Sequence, residues 1–294
     1  MAPLLKLIAV LLPAMQLLGV SASPIGDFSV TASGIVKRDY FNHVERRGVV
    51  YARASPFLTH GATPAGRAVQ NGVKLRILPV GDSITVGTGK GADGNGYRKR
   101  LKQDLSENEV VFAGTQKYTG DLKDGYFAAW SGKTIKFISD SIGPSLKHRP
   151  NMVLLAAGTN DMNSDPKYSK EGTDPRAASH RLRALIDKIA VECPDATILV
   201  SMIINTCNTQ AQGAQLTRTK IYRTYVANVV KSARKTGVKV IAVDFGPFKT
   251  TDLSDCVHPN RKGYEIMGDW WYDFIHQIPK GWIKAPVGPD PKRG

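Results

Sequence analysis

A serine in "GDSIT" (Ser83), an asparagine in "AAGTND" (Asn160) and an Asp-x-x-His pair in "LSDCVHPN" (Asp255, His258) are the residues whose types and spacing carry chemistry in this chain. A serine hydroxyl is a poor nucleophile unless an imidazole within hydrogen-bond reach takes its proton. Asp255 precedes His258 by three residues in a proline-stopped loop. One turn there holds a carboxylate against the ring, which fixes the tautomer and stabilises the cation formed on proton uptake. Asparagine amides and backbone N–H groups stabilise a developing oxyanion. The chemistry such a set performs is acyl transfer. Taken singly, each residue has a plainer use: Ser83 as a helix cap, Asn160 and Asp161 as turn residues, Gly114 in "FAGT" as a point of positive φ.

The elements that must position them decide between these uses. "KLRILPV" is a short apolar run; "NGYRKRLKQDLSEN" has the pattern of a helix; "EVVFAG" is a second strand ending at Gly114. "TIKFISDSI" reads as a helix and "NMVLLAAG" as a third strand, apolar throughout as expected when both sheet faces are covered. Leu182, Leu185, Ile186 and Ile189 mark one face of a helix, "ATILVSMII" is a fourth strand, and Tyr222, Tyr225, Val226, Val229, Val230 and Ala233 mark a longer helix. "VKVIAVDF" is the fifth strand, and "RKGYEIMGDWWYDFIHQI" closes the run as a helix. Alternation of this kind predicts an α/β fold, a three-layer α/β/α sandwich around a five-stranded parallel sheet, with the ligand crevice at the carboxyl ends of the strands. Ser83, Gly114, Asn160 and the Asp255–His258 pair each follow a different strand. Four independent caps do not explain that convergence.

"GDSIT", "FAGT", "GTND" and "DCVHP" resemble, in order, the blocks of the SGNH (GDSL-type) hydrolases. Longer stretches, among them "LRILPVGDSITVG", "GADGNGYRKRL", "RPNMVLLAAGTNDM" and "HPNRKGYEIMGDWW", are similar to fungal members of carbohydrate esterase family 3, over about residues 75 to 278. The resemblance implies a flavodoxin-like SGNH hydrolase fold with Ser83 as nucleophile, His258 as general base and Asp255 as its orienter. It implies an oxyanion hole from the amides of Ser83 and Gly114 and the side chain of Asn160, and no cofactor. It also implies a serine esterase acting on acetylated polysaccharide, acetyl xylan esterase-like, or on a small ester. Where many such proteins carry an acidic or histidine-containing stretch before "SGWTI", this chain has "DGYFAAWSGKTI", with Phe127, Ala128 and Ala129. A general short-chain or lipid esterase of the same fold, and a non-catalytic secreted sugar-binding protein, are the alternatives. "GKGADG" and "SGKT" imitate phosphate-binding loops but lack the strand and the first glycine those loops require.

Outside the predicted domain (74–279), residues 1–22 read as a secretory signal peptide cleaved near Ala22. Residues 23–73 read as a mostly disordered linker or pro-segment carrying the dibasic pairs Lys37-Arg38 and Arg46-Arg47, and 280–294 as a disordered tail. The expected product is a secreted, extracellular monomer with no membrane contact after cleavage. Its net charge of +15 over 294 residues includes Arg98, Lys99, Arg100 and Lys102, read as a solvated helix face, and no nucleic-acid partner is expected. The six histidines form no pair at metal-ligand spacing, so no metal is expected. Cys207 follows the fourth strand and Cys256 lies in the His258 loop, on one rim of the sheet, whereas Cys193 ends a helix at the opposite edge. The predicted disulfide is therefore Cys207 to Cys256.

Overall fold

The computed structural model describes residues 55–293; the predicted signal peptide and both dibasic pairs lie outside them. The chain alternates strands and helices. It runs through β1 (Phe57–Leu58), β2 (Leu75–Gly81), α1 (Ser83–Val86), α2 (Arg98–Asp104), β3 (Val110–Phe112), β4 (Ala128–Ala129), α3 (Ile135–Ser141) and α4 (Gly143–Leu146). There follow β5 (Met152–Ala156), α5 (Pro175–Glu192), β6 (Thr197–Met202), α6 (Gly213–Lys235), β7 (Val240–Asp244) and α7 (Arg261–His276). The strands form one parallel sheet in the order β1-β7-β6-β5-β2-β3, with β4 also on β2. The five expected strands are all present, joined by the two-residue strands β1 and β4. Strand order reverses between β2 and β5, the place where doubly wound sheets open a crevice.

Alternation along each strand divides the core. Leu78 and Val80 of β2, and Val153 and Leu155 of β5, face α3, α5 and α6, while Leu75, Ile77, Met152 and Leu154 face α2 and α7. The α5 stripe Leu182, Leu185, Ile186 and Ile189 is buried as its spacing predicts. Asp174 caps α5 through the amide of Arg176, and Pro175 occupies the first turn, where its missing N–H costs nothing.

Both flanks depart from the sequence reading. Residues 57–73, expected within a linker, fold onto the domain: β1 pairs with β7, and the buried carboxylate of Asp273 accepts from Gly61 N at 2.6 Å and Thr63 N at 2.8 Å. The segment expected as a disordered tail instead passes the amino ends of β7, β6, β5 and β2 in their spatial order and reaches the carboxyl end of β3. Trp282 O accepts from Lys239 Nζ and Thr197 Oγ1, and Lys284 O from Asn151 Nδ2. Val287 O and Gly288 O accept from the guanidinium of Arg76, at 2.9 and 2.8 Å. Asp290 pairs with Arg76 at 2.9 Å, and Arg293 donates to Phe112 O on β3. Ile283 is buried and Trp282 packs against the core, but the other holds are backbone carbonyls and the charged side chains of Asp290 and Arg293, so the segment carries no apolar period to reveal it.

Candidate active site

Gly81 ends β2 so close to its neighbours that an added Cβ would lie 2.3 Å from Ala156 O. The chain turns there directly into α1, whose first residue is Ser83. Asp82 caps that short helix by accepting from Ile84 N at 3.0 Å. At the other end Arg98, 1% exposed, donates to Thr85 O, Val86 O and Gly94 O, and its guanidinium lies 4.4 Å from the centroid of Phe127. The expectation of a solvated face fails for Arg98. A planar fork of donors can be buried where several carbonyls converge, and burial pushes this group down to about 10.

The loop after β7 brings the imidazole to the serine. His258 Nε2 lies 2.9 Å from Ser83 Oγ, and His258 Nδ1 lies 2.8 Å from Asp255 Oδ2. The other oxygen of Asp255 accepts from the backbone N–H of His258 at 2.8 Å and of Val257 at 3.1 Å. Desolvation works to raise Asp255, but these N–H groups and the ring hold its carboxyl below the usual range. Cys256, between them, has a φ of 68°, unusual for a residue with a side chain, and is joined by a disulfide to Cys207, whose N–H donates to Cys256 O. Cys193 is buried and unpaired, its thiol pushed up to about 11 by burial.

Asn160 follows β5 and donates from Nδ2 to Lys133 O at 3.0 Å, which leaves its second amide hydrogen uncommitted. Asp161 is fully buried, accepting from Ile135 N and from Arg181, so it anchors α3 and α5 beneath the site.

Gly114 is not brought to Ser83. Ala113 N pairs with Ile77 O, and β2 continues four residues further, roughly 13 Å at strand rise, before the turn to Ser83. The Gly114 amide donates to His148 Nδ1, and the position requires glycine because an added Cβ would lie 2.3 Å from the backbone of Phe127. On this edge of β2, β3 pairs only as far as Ile77; β4 takes over, with Ala128 opposite Val80 and Ala129 opposite Gly81. Trp130 N then donates to Gly81 O, and a turn follows with Gly132 at a φ of 72°. Gly132 directly precedes Lys133, the residue held by Asn160, so Gly132 is the glycine this edge delivers to the crevice. The signal was the small-residue run "AAWSG" before "KTI"; two residues are too short for a strand period to show.

The profile of the GDSL-like lipase/acylhydrolase family matches residues 80–266. The chain belongs to this family. A multidomain esterase of Ruminococcus flavefaciens is 27% identical over 242 residues, 73% of this chain, and the chain spans only 30% of that relative's length. Among solved structures, a carbohydrate esterase family 3 protein from Talaromyces cellulolyticus superposes with a TM-score of 0.56 at 19% identity, covering 69% of this chain and 97% of the other. A lipase/acylhydrolase from Enterococcus faecalis gives 0.53 at 20% identity, covering 73% and 100%. At such identities the likeness is one of fold, and it agrees with the α/β sandwich expected from the family's sequence blocks.

Asp82 makes the site pH-sensitive in a predictable direction. Burial raises its carboxyl from 3.8 to about 6. A folded-state value above the unfolded one gives stability that is present in full below about 3.8 and lost as pH rises through about 6. Asp82→Asn keeps a capping oxygen without the charge. The wild-type advantage over this variant should shrink by on the order of 3 kcal/mol from pH 3.5 to 7. Urea unfolding of both proteins across that range measures it, and a constant difference would refute the assignment.

Proposed function

We propose that the protein is a secreted, metal-independent serine esterase that removes acetyl groups from plant cell-wall polysaccharide such as xylan. The observation that carries the chemistry is the unbroken line from Asp255 through His258 to Ser83, at 2.8 and 2.9 Å. Ser83 Oγ attacks the ester carbonyl carbon while His258 Nε2 takes the hydroxyl proton. Asp255 holds the ring with Nδ1 protonated and stabilises the imidazolium. The amides of Ser83 and Gly132 and the free hydrogen on Asn160 Nδ2 receive the oxyanion. Collapse breaks the bond to the sugar oxygen, which leaves with the proton from His258. Water, deprotonated by the same ring, then releases acetate from the acyl-serine.

The polysaccharide part of the reading draws on what the similar proteins are called, a carbohydrate esterase and a multidomain esterase. Secretion draws on the apolar amino-terminal run. Acetate release from acetylated xylan, mannan, pectin and chitin, set beside p-nitrophenyl esters of increasing chain length, tests the substrate. Xylan should give the highest kcat/KM among the polymers. Preference for long acyl chains, with no acetate from any polymer, would transfer the protein to lipid or general esters.

Asn160→Ala should lower kcat by about 10²- to 10³-fold and leave KM nearly unchanged, because the amide meets negative charge only in the transition state. If the residue served only to hold Lys133 O, the variant would melt lower yet keep kcat. Tm and kcat measured on one preparation separate the two.

A further inference from the structure

The loop that carries Asp255 and His258 is tied differently at its base and at its apex. At the base, Asn260 N donates to Asp252 O at 2.9 Å and Ser254 N to His258 O at 2.8 Å. The apex consists of Asp255, whose side chain is 47% exposed, Cys256 and Val257. Among the described residues, the covalent and hydrogen bonds by which these three leave the loop all end at Cys207: the disulfide, and the Cys207 amide on Cys256 O at 3.1 Å. Cys207 is a fixed anchor. It follows β6 through residues 203–206, where Arg223 of α6 donates to Ile203 O at 2.7 Å and to Asn205 Oδ1 at 2.5 Å. Asn205 Nδ2 in turn donates to Gly246 O beyond β7, and Thr206 is buried. The bridge thus joins a segment held by a helix and two strand ends to an exposed turn.

We propose that Cys207 is a positioning residue for the reaction: acting through the bridge, it holds Cys256 in the left-handed region and keeps Asp255 and His258 in register with Ser83. The proposal rests on the reading of Ser83, His258 and Asp255 as the catalytic set, and not on the identity of the polymer. A φ of 68° crowds Cβ against the backbone, so an untied Cys256 relaxes toward negative φ. Cys256 lies between the carboxylate and the imidazole in sequence, and its rotation changes the direction in which both side chains leave the turn. The two bonds of the relay, at 2.8 and 2.9 Å, tolerate a displacement of only about 0.5 Å. Misplacement by about 1 Å costs on the order of a hundredfold in rate. The rival account is a bridge that only fastens the fold. Cys207 and Cys256 are 49 residues apart, and closing such a loop stabilises a protein without touching kcat.

Cys207→Ala separates the two accounts in the full chain, because the side chain it removes lies outside the relay. At a temperature well below the Tm of the variant, kcat for p-nitrophenyl acetate should fall ten- to a hundredfold with KM within twofold of wild type. Cys207→Ala/Cys256→Gly should regain at least threefold, since glycine takes positive φ without steric cost. If Cys207→Ala does not fold, wild type opened by a water-soluble phosphine supplies the measurement. The phosphine becomes its oxide as the S–S bond becomes two thiols, counted by alkylation and mass, and kcat should fall by the same factor and return on reoxidation with oxidised glutathione. Unchanged kcat with a lower Tm, in the variant or in the reduced wild type, would make the bridge a stabiliser only and overturn the proposal. So would a glycine variant no better than Cys207→Ala. A fully active Ser83→Ala would instead remove the catalytic set, and the positioning role with it.

Discussion

Ser83→Ala should reduce kcat on any ester by on the order of 10⁴- to 10⁶-fold while the protein folds and melts as before. Without Oγ no acyl-enzyme can form, and the remaining rate is what the oxyanion donors and binding supply to a direct attack by water. Ser83 is 7% exposed and its hydroxyl is bonded to His258, so its loss removes one hydrogen bond and little packing. His258→Ala should fall into the same range, and the double variant should be little worse than either, because the two residues act as one unit. Steady-state rates at protein concentrations fixed by absorbance, with the wild type calibrated by burst titration, give the comparison. A Ser83→Ala protein within a hundredfold of wild type would mean that another nucleophile does the work.

Truncation after Ala285 should cost about 3 to 5 kcal/mol of folding stability without touching the crevice. Arg76 lies within β2, 1% exposed, and the missing segment supplies Val287 O, Gly288 O and the carboxylate of Asp290 to its guanidinium. Removal takes away three of the five groups that hold the guanidinium and leaves it the carbonyls of His148 and Arg149 and the water that replaces the segment. Adding Arg76→Met to the truncated chain should restore part of the loss, since an apolar side chain there needs no partner. Denaturant midpoints of the three proteins decide it; an Arg76→Met that further destabilises the truncated form would rule out this account.

Much of this architecture is legible from side-chain type because the physics behind it is periodic. The α5 stripe and the continuous apolar strand around Leu154 follow from burial on one helix face and on two sheet faces. The Asp255–His258 spacing is equally readable, since three residues span one turn. Legibility fails where backbone does the holding. Ala128 and Ala129 pair with β2 through main-chain groups and are too short for a pattern, so Gly114 stood in for Gly132. Arg98 is typed as a surface charge yet is enclosed by carbonyls, and residues 280–293 bind largely through peptide oxygens that any composition would offer, with Ile283, Asp290 and Arg293 too widely spaced to form a pattern.

The proton relay joins residues 175 positions apart, and the Asp290 bond to Arg76 spans 214. On a ribosome adding 5 to 20 residues per second, Ser83 therefore precedes its histidine by about 9 to 35 s. The neighbours of β2 in the sheet, β3 and β5, emerge well within that interval, but the Arg76 guanidinium waits 214 residues, about 11 to 43 s, for the Asp290 carboxylate. The fold is therefore incomplete until the segment around Asp290 has emerged, and chaperone supply during elongation should affect yield. Slower synthesis lengthens the exposure, so codon choice between residues 84 and 290 becomes a lever on yield.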